Sequence, residues 1–326
     1  MSLIEQAARR LEELRRAGAE LPEGGQAVAD PRRGTVEPTP EAFIEALDRR
    51  PAPNLSTQSV DANPRSNYGS NRNLLHEARQ GRGPYVELDL ERLKNRGFVT
   101  PDVPTSRMAD EFRVAKRPII KNAFGTQDER VRNGNLVMVT SALPGEGKTF
   151  ASINLAMSIA MEYDIRVLLV DGDVAHPSMP AILGTPHSPG LLDLLTRDDI
   201  EVEDALVRTN VERLTMLPAG SRQRRSTELL ASEQMATLLR ELASRYPNRM
   251  IVFDSPPLLA TTEARVLATH MGQVVMVVAA DSTSHHALNQ ALATIENCDI
   301  VLMLLNKASQ TDVGTYYGYY GDDVAK

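Results

Sequence analysis

The sequence has little cysteine, no excess of positive charge and no long apolar run. Its 326 residues include one cysteine, Cys298, so an internal disulfide cannot form, and without a Cys/His cluster a structural zinc site is not expected. The formal charge of −7 argues against nucleic-acid binding, which needs a basic stripe to displace counterions. The sequence has no run of about 18 or more apolar residues, so it predicts neither a signal peptide nor a membrane span. We therefore expect a cytoplasmic protein.

The most informative stretch of the chain is 136–150, with the sequence LVMVTSALPGEGKTF. The apolar run 136–139 predicts a central strand, and residues 147–149 open a helical pattern over 150–161. A glycine-rich turn between a strand and a helix is typical of a phosphate-binding loop. In such a loop, backbone N–H groups and the positive end of the helix dipole hold the phosphates. The stretch therefore predicts a nucleotide site.

Within this loop, Lys148 is expected to reach the outer phosphates and Thr149 to place its hydroxyl on Mg²⁺. The pattern usually begins with glycine, and Ala142 stands there instead, which is a mild departure because alanine is also small. The loop residues expected to contact the nucleotide are Pro144, Gly145, Glu146, Gly147, Lys148, Thr149 and Phe150.

Acidic residues follow two further apolar runs. The run 166–170 ends in Asp171-Gly172-Asp173, and the run 250–253 ends in Asp254. Because continuous apolar runs are typical of parallel strands, whose carboxyl ends share one edge of the sheet, these acids are expected to meet the phosphates there. Any one of them could be a helix cap or a turn residue. Together they predict a magnesium site, since Mg²⁺ prefers oxygen ligands.

Runs at 274–278 and 300–305 predict two more strands, which end without acids. The predicted fold is therefore α/β, a P-loop NTPase-type, mostly parallel sheet flanked by helices. We expect this domain to occupy 84–307, beginning with a strand-like segment that passes into a helix ending at Gly97.

The flanking segments are expected to be less ordered. Residues 1–83 predict a short amphipathic helix, a second short helix at 41–47 and a polar, flexible linker over 51–73. The first helix has its apolar residues at Ile4, Ala7, Leu11 and Leu14, and it is equally compatible with packing on its own domain and with docking to a partner. Residues 308–326 predict a mobile tail rich in tyrosine and glycine.

Three segments together, 142–149, 167–177 and 251–257, resemble the Walker A, Walker A′ and Walker B motifs of bacterial protein-tyrosine kinases. The tail looks like the tyrosine cluster that those kinases autophosphorylate, because four of the eight tyrosines fall within five residues: Tyr316, Tyr317, Tyr319 and Tyr320. The likeness runs from about Val86 to the C-terminus. Its nearest branch is the tyrosine autokinases associated with exosortase and exopolysaccharide loci.

The resemblance implies a role for each matching residue. Lys148 and the loop amides would hold the phosphates of ATP, and Asp171 would accept the proton of the tyrosine hydroxyl. Asp173 would support the metal or that base. Mg²⁺ would be held by Thr149 and Asp171, with Asp254 holding a metal-bound water.

The resemblance also implies a homo-oligomer, a ring or a dimer. Asp110, Arg113 and Lys116 fall where the family has its Glu-x-x-Arg-x-x-Arg oligomerisation motif, although a solvated charged helix face would have the same pattern. Both end residues are replaced by residues of the same charge, and lysine lacks the bidentate fork of arginine. The family's arginines after the Walker A′ acids are also missing, since residues 174–176 are Val-Ala-His.

The implied function is ATP-dependent autophosphorylation of the tail in trans, regulating exopolysaccharide synthesis or export. The implied activator is a membrane protein of the chain-length-regulator type, which would recruit the kinase to the inner face of the cell membrane. Because each phosphate adds about −1.5 to −2 charges, we expect phosphorylation to loosen the oligomer.

Two other classes of protein share parts of this pattern. Partitioning or positioning ATPases use the same fold as a nucleotide-dependent dimer switch, but they have a second lysine early in the phosphate loop, where this chain has Leu143. A non-catalytic nucleotide-binding adaptor would not need three acids.

Two weaker features leave alternatives open. Asn306 could contact adenine, as an asparagine in that place does in related ATPases, or it could be a simple turn residue. Arg222, Arg224 and Arg225 could meet acidic partners or phosphotyrosines, or they could form a solvated loop.

Overall fold

The sheet is built from eight strands in the part of the chain that the structure describes. This structure is a computed structural model, and it describes residues 83–185, 189–245 and 248–308. The strands are β1 (Tyr85–Val86), β2 (Leu136–Ser141), β3 (Arg166–Asp171), β4 (Val207–Thr209), β5 (Leu214–Leu217), β6 (Arg249–Asp254), β7 (Gln273–Ala279) and β8 (Val301–Asn306). Their order across the sheet is β1-β4-β5-β3-β6-β2-β7-β8. The pair β4 and β5 is antiparallel, and all the other pairs are parallel.

Helices connect the strands along the described segments. They are α1 (Leu90–Asn95), α2 (Arg107–Phe124), α3 (Lys148–Ala160), α4 (Met179–Leu183), α5 (Leu191–Leu194), α6 (Val202–Ala205), α7 (Ser226–Leu230), α8 (Glu233–Arg245), α9 (Thr262–Ala268) and α10 (His285–Ala293). Serine caps the longest of them, since the Ser106 hydroxyl accepts a hydrogen bond from the Ala109 amide at the start of α2.

The central strands are buried on both faces of the sheet. Along β2, Leu136 and Met138 belong to one apolar cluster, while Val137 and Val139 belong to a second cluster on the opposite face. The second cluster includes the apolar faces of α2 and α3, and the first includes residues of α8, α9 and α10. Burial on both faces explains why these strands are continuous apolar runs in the sequence.

The predicted α/β architecture is confirmed, with small differences at the ends of elements. The predicted strand 136–139 continues to Ser141, because Thr140 and Ser141 still pair with β7. The helix predicted over 150–161 begins two residues earlier, at Lys148. The short strands β4 and β5 were not predicted. They have three and four residues, too few to show a clear period.

The predictions for the helices and linker within 1–82, and for 309–326, lie outside the described residues. The proposed boundaries of the three segments therefore stay predictions. None of the helices described has both the length and the apolar character needed to cross a membrane.

Candidate functional site

The loop between β2 and α3 has the backbone geometry of a phosphate-binding loop. Gly145 and Gly147 have φ angles of 82° and 96°, in the left-handed region that favours glycine. A Cβ atom on Gly147 would also lie 2.1 Å from the side-chain nitrogen of Asn306. Glycine is therefore required at position 147 for two independent reasons, the backbone conformation and the approach of a neighbouring side chain.

Lys148 lies at the first turn of α3 and contacts one of the predicted acids. Its Nζ atom is 3.0 Å from Oδ2 of Asp173, which follows β3. The two residues are 25 positions apart in the chain, and the parallel arrangement of β2, β6 and β3 brings them to the same edge of the sheet. The predicted convergence of Lys148 with the Walker A′ acids is therefore present in the structure.

Asp171 and Asp254 lie directly side by side at that edge. They are aligned in the parallel register of β3 and β6, and both residues are fully buried. Neither carboxylate has a well-formed hydrogen bond within the described part of the chain. Two buried carboxylates without partners are costly for a fold, so their presence here points to a missing cationic ligand.

The pKa values of both acids are raised by their surroundings. Burial, reinforced by the charges of Asp254 and Asp173, raises the pKa of Asp171 to about 8. Burial also raises the pKa of Asp254 to about 6, although Lys148 and the hydroxyls of Thr149 and Ser152 act in the opposite direction. A bound cation would lower both pKa values by favouring the charged forms.

The residues present fit a magnesium ion whose coordination is completed by a nucleotide. The four carboxylate oxygens of Asp171 and Asp254 are buried and form no well-formed hydrogen bond, and the Thr149 hydroxyl lies 3.1 Å from the Ser178 hydroxyl. Over the described residues, no three acidic, histidine or cysteine side chains surround a common point. This arrangement suits Mg²⁺, which is commonly bound through one or two protein oxygens with phosphate oxygens and waters.

A buried glutamate holds the phosphate loop in shape. The carboxylate of Glu146 accepts a hydrogen bond from the Leu143 amide at 2.8 Å and a second from the hydroxyl of Thr283. The Thr283 hydroxyl also accepts from the Ala279 amide at the end of β7, 3.0 Å away. The side chain of Glu146 therefore links the phosphate loop to the segment after β7, and its predicted contact with the nucleotide stays a prediction.

The last residue of β8, Asn306, and the residue after it also contact the phosphate loop. The Asn306 side chain donates to the carbonyl of Glu146 and Lys307 Nζ donates to the carbonyl of Gly145, both at 2.8 Å. A contact between Asn306 and adenine stays a prediction. The structure shows that its side-chain nitrogen is already used to hold the loop.

Two further loop residues differ in how their side chains are used. Phe150 packs against Phe98, with ring centroids 5.0 Å apart, so its side chain serves the second apolar cluster. Pro144 is exposed at the loop. Any contact of Phe150 with a nucleotide would therefore come from its backbone.

The predicted oligomer-interface residues on α2 do not form one exposed surface. Asp110 and Arg113 are exposed and pair with each other. Lys116 is buried in its own chain, where Nζ lies 2.5 Å from the Ser158 carbonyl and 2.7 Å from Glu162. The expectation that Lys116 faces a neighbouring subunit is not supported, because its position two turns along α2 directs it toward α3. The predicted interface role of Asp110 and Arg113 is untested.

Sequence reasoning missed two residues that contact the site. These are Ser178, whose hydroxyl meets that of Thr149, and Thr283, which binds Glu146. A hydroxyl residue in a loop is too common to single out from sequence. Lys307, which follows Asn306 just past the last predicted strand, binds a loop carbonyl. The predicted phosphoacceptors Tyr316, Tyr317, Tyr319 and Tyr320 lie outside the described residues.

Comparison with known proteins gives a consistent family assignment. The model of the AAA domain family matches residues 135–306. The putative tyrosine-protein kinase CapB of Staphylococcus aureus is 29% identical over 236 residues, which is 71% of this chain and 99% of CapB.

Solved structures agree with this match. The VpsO kinase domain is 32% identical with a TM-score of 0.52, covering 62% of this chain and 97% of that domain. The chimerical protein CapA2B2 has the same fold, with 24% identity and a TM-score of 0.55 over 71% of this chain and 97% of the chimera.

Proposed function

The chain belongs to the bacterial tyrosine kinases of the AAA domain family, and from this premise we propose that it phosphorylates the tyrosines of its own C-terminal segment in trans. The observation that supports this activity most directly is the pair of buried, unpartnered carboxylates, Asp171 and Asp254, beside Lys148. These acids suit a site that holds Mg·ATP, and the tyrosine cluster at 316–320 favours a kinase over a nucleotide-dependent switch.

Lys148 and the amides of the 143–149 loop would hold the β- and γ-phosphates of ATP. In the transfer step, a tyrosine oxygen forms a bond to the γ-phosphorus while the bond from the γ-phosphorus to the β,γ-bridging oxygen breaks, so that ADP leaves. The proton of the tyrosine hydroxyl passes to a carboxylate oxygen of Asp171. Catalysis of this kind depends mainly on positioning and on neutralising charge.

Asp171 is the proposed base because its carboxylate is buried at the end of β3, at the edge where the phosphates would lie. A bound cation would lower its pKa, so that the carboxylate would be ionised and able to accept the proton. Asp173, paired with Lys148, would hold the lysine toward the phosphates and support the base. Thr149, Asp171 and Asp254 would hold Mg²⁺, directly or through water, and the bound ion would supply charge neutralisation on the phosphates.

The proposed acceptors are the four tyrosines 316, 317, 319 and 320, in a tail that follows the kinase domain 84–307 and enters the site of a second copy. The proposed assembly is a ring or dimer in which exposed α2 residues, including Asp110 and Arg113, contact a neighbour. Segment 1–83 is proposed to be separate from the kinase domain.

The proposed cellular role is regulation of capsule or exopolysaccharide synthesis, as the relationship to CapB indicates. The solved CapA2B2 chimera supports a partner-dependent arrangement, and we propose a membrane activator of the chain-length-regulator type that brings the kinase to the inner face of the membrane. Membership of the exosortase-associated branch is part of the same proposal.

The test is to incubate the purified, dephosphorylated full chain with Mg·ATP and to map phosphate by mass spectrometry. We expect phosphate on residues 316–320, and we expect truncation after Thr315 to remove most phosphotyrosine while leaving ATP affinity unchanged. Hydrolysis of ATP without phosphotyrosine would instead indicate a nucleotide-dependent switch. Phosphotyrosine that persists after truncation would place the acceptors elsewhere in the chain.

A further inference from the structure

Three arginines, Arg222, Arg224 and Arg225, lie exposed in the loop between β5 and α7, and we call them the arginine patch. This loop leaves the sheet at the edge where the nucleotide site lies, because β5 and β3 are parallel neighbours with Leu217 aligned to Val170. The patch therefore follows β5 on the same side of the sheet as Asp171 follows β3.

A hydrogen bond joins the patch to the site. Nη2 of Arg222 donates to the carbonyl of Ala175 at 2.8 Å, and Ala175 is two residues beyond Asp173, which contacts Lys148. The guanidinium of Arg222 is therefore held against the loop that begins at the proposed base. The other two arginines follow it within three residues.

Little negative charge from the chain itself meets the patch. Among the described residues, Arg224 and Arg225 form no ion pair. Of three nearby acids, Glu263 is engaged by the hydroxyl of Ser226, and the buried Asp193 accepts hydrogen bonds from the amides of Gly190 and Ser221. Glu228 is the other acid, exposed on α7. Three arginines beside one free glutamate make a positive surface on a chain whose net charge is −7.

The tyrosine tail has the opposite charge. Residues 308–326 contain three acids and one lysine, and Asp322 and Asp323 follow Tyr320 by two and three residues. In an extended peptide these acids lie about 7 to 10 Å from the tyrosine. An acid at that distance from the tyrosine could pair with an arginine of the patch, which lies beside the loop that follows Asp171.

We propose that the arginine patch binds the acidic flank of the tyrosine tail of a second copy, Asp322 and Asp323, and so presents the preceding tyrosines to Asp171. This inference rests on the proposed kinase activity and adds the surface that selects its substrate, an acidic tyrosine peptide. Side-chain ion pairs of this kind guide and orient a peptide, and they weaken as salt rises.

The experiment measures phosphorylation of a synthetic peptide of residues 308–326 by the full chain, with mass spectrometry separating peptide phosphate from phosphate on the enzyme. The test variant is Arg224→Glu/Arg225→Glu, which leaves the bond between Arg222 and Ala175 in place. The matched control is Arg132→Glu/Arg166→Glu, the same charge change at two exposed arginines near the starts of β2 and β3, at the opposite edge of the sheet.

We expect the test variant to raise KM for the peptide on the order of tenfold. Each exposed ion pair contributes up to about fivefold in affinity, and the variant reverses two charges. KM for ATP and kcat should be unchanged in both variants, which also shows that they are folded. Salt at about 0.5 M should raise the wild-type KM toward that of the test variant.

A second arm changes the peptide and leaves the enzyme intact. Asp322→Asn/Asp323→Asn in the peptide should raise KM for the wild type by a similar factor and have little further effect on the test variant. Equal KM for both peptides, or for test variant and wild type, would overturn the docking surface while the kinase activity stood. A wild-type enzyme that does not phosphorylate the peptide, its own tail or a second copy would overturn the proposed function together with this inference.

Discussion

Lys116, which is buried, and Lys148, which is partly buried, have different surroundings. Lys116 is satisfied within the chain by the Ser158 carbonyl and by Glu162, and Arg117 also lies 3.1 Å from Glu162. Burial lowers the pKa of Lys116, while that of Glu162 is lowered by Lys116 and Arg117 against the effect of its own burial. Positive and negative charge are therefore matched there by groups of the protein.

At Lys148 the matching is incomplete. The lysine pairs with Asp173, but Asp171 and Asp254 nearby form no ion pair or well-formed hydrogen bond in the described chain and have raised pKa values. A buried ion pair that is complete within the chain serves the fold, whereas excess buried charge at a sheet edge indicates a ligand of opposite charge. The balance of charge around each lysine therefore distinguishes the structural lysine, Lys116, from the functional one, Lys148.

The contrast predicts its largest effect for Lys148→Met. Autophosphorylation should fall by a factor on the order of 10² or more, because the lysine neutralises charge that develops on the phosphates. The measurement is the initial rate of phosphotyrosine formation by freshly purified, dephosphorylated protein. The variant should keep the circular dichroism spectrum of the wild type. Full phosphorylation by this variant would contradict the assignment.

Lys116→Met should affect stability and not the chemistry. The substitution removes the hydrogen-bond donor of the Ser158 carbonyl and leaves Glu162 paired with Arg117 alone. We expect the free energy of unfolding to fall by about 2 kcal/mol. This is less than the roughly 3 to 5 kcal/mol for breaking a fully buried pair, because Glu162 is partly exposed. Urea unfolding measures it. The control on the same helix is Arg113→Met, an exposed pair that should cost less than about 1 kcal/mol. If Lys116→Met kept wild-type stability but lost activity, the assignment of Lys116 as a structural residue would be wrong.

The unpaired acids predict an inverse dependence of stability on pH without nucleotide or metal. The pKa of Asp171 is raised to about 8 in the folded chain, against about 3.9 in an unfolded one, so the folded state binds more protons between these values. Its contribution to stability is complete at low pH and is lost as pH rises toward 8, with a slope of at most about 1.4 kcal/mol per pH unit. Urea unfolding in EDTA at several pH values should show a smaller decline for Asp171→Asn. Equal slopes would count against a raised pKa.

The smallest expected effect concerns the link between Glu146 and Thr283. Thr283→Val removes a hydroxyl that donates to the carboxylate and accepts from the Ala279 amide, so the phosphate loop should be less well preformed. We expect KM for ATP to rise about fivefold with little change in kcat, and Thr283→Ser to restore it. A fall in kcat at constant KM would mean that the link acts on the chemistry.

Much of the site was predictable because it depends on local patterns. Apolar runs ending in Asp171 and Asp254, and a glycine-rich turn before Lys148, are each visible in a short window, and the rule that parallel strands end at one edge brings them together. The requirement for glycine at position 147 was predictable in kind, since a left-handed residue is expected in this loop, but its contact with Asn306 was not.

What could not be predicted arises between segments that are distant in the chain. Lys116 has the spacing of an interface residue on α2, yet it is buried against α3 because of how the two helices pack. Thr283 is an ordinary loop threonine until the position of β7 beside β2 places it on Glu146. These pairings depend on strand order and helix packing, which bring together residues 42 positions apart in the first case and 137 in the second, and they leave no periodic pattern in a local stretch of sequence. The residue types and the spacing of apolar residues thus determined the strands, the helices and the acids at the strand ends. Tertiary packing decided which charges are balanced within the chain, because it brings distant segments into contact.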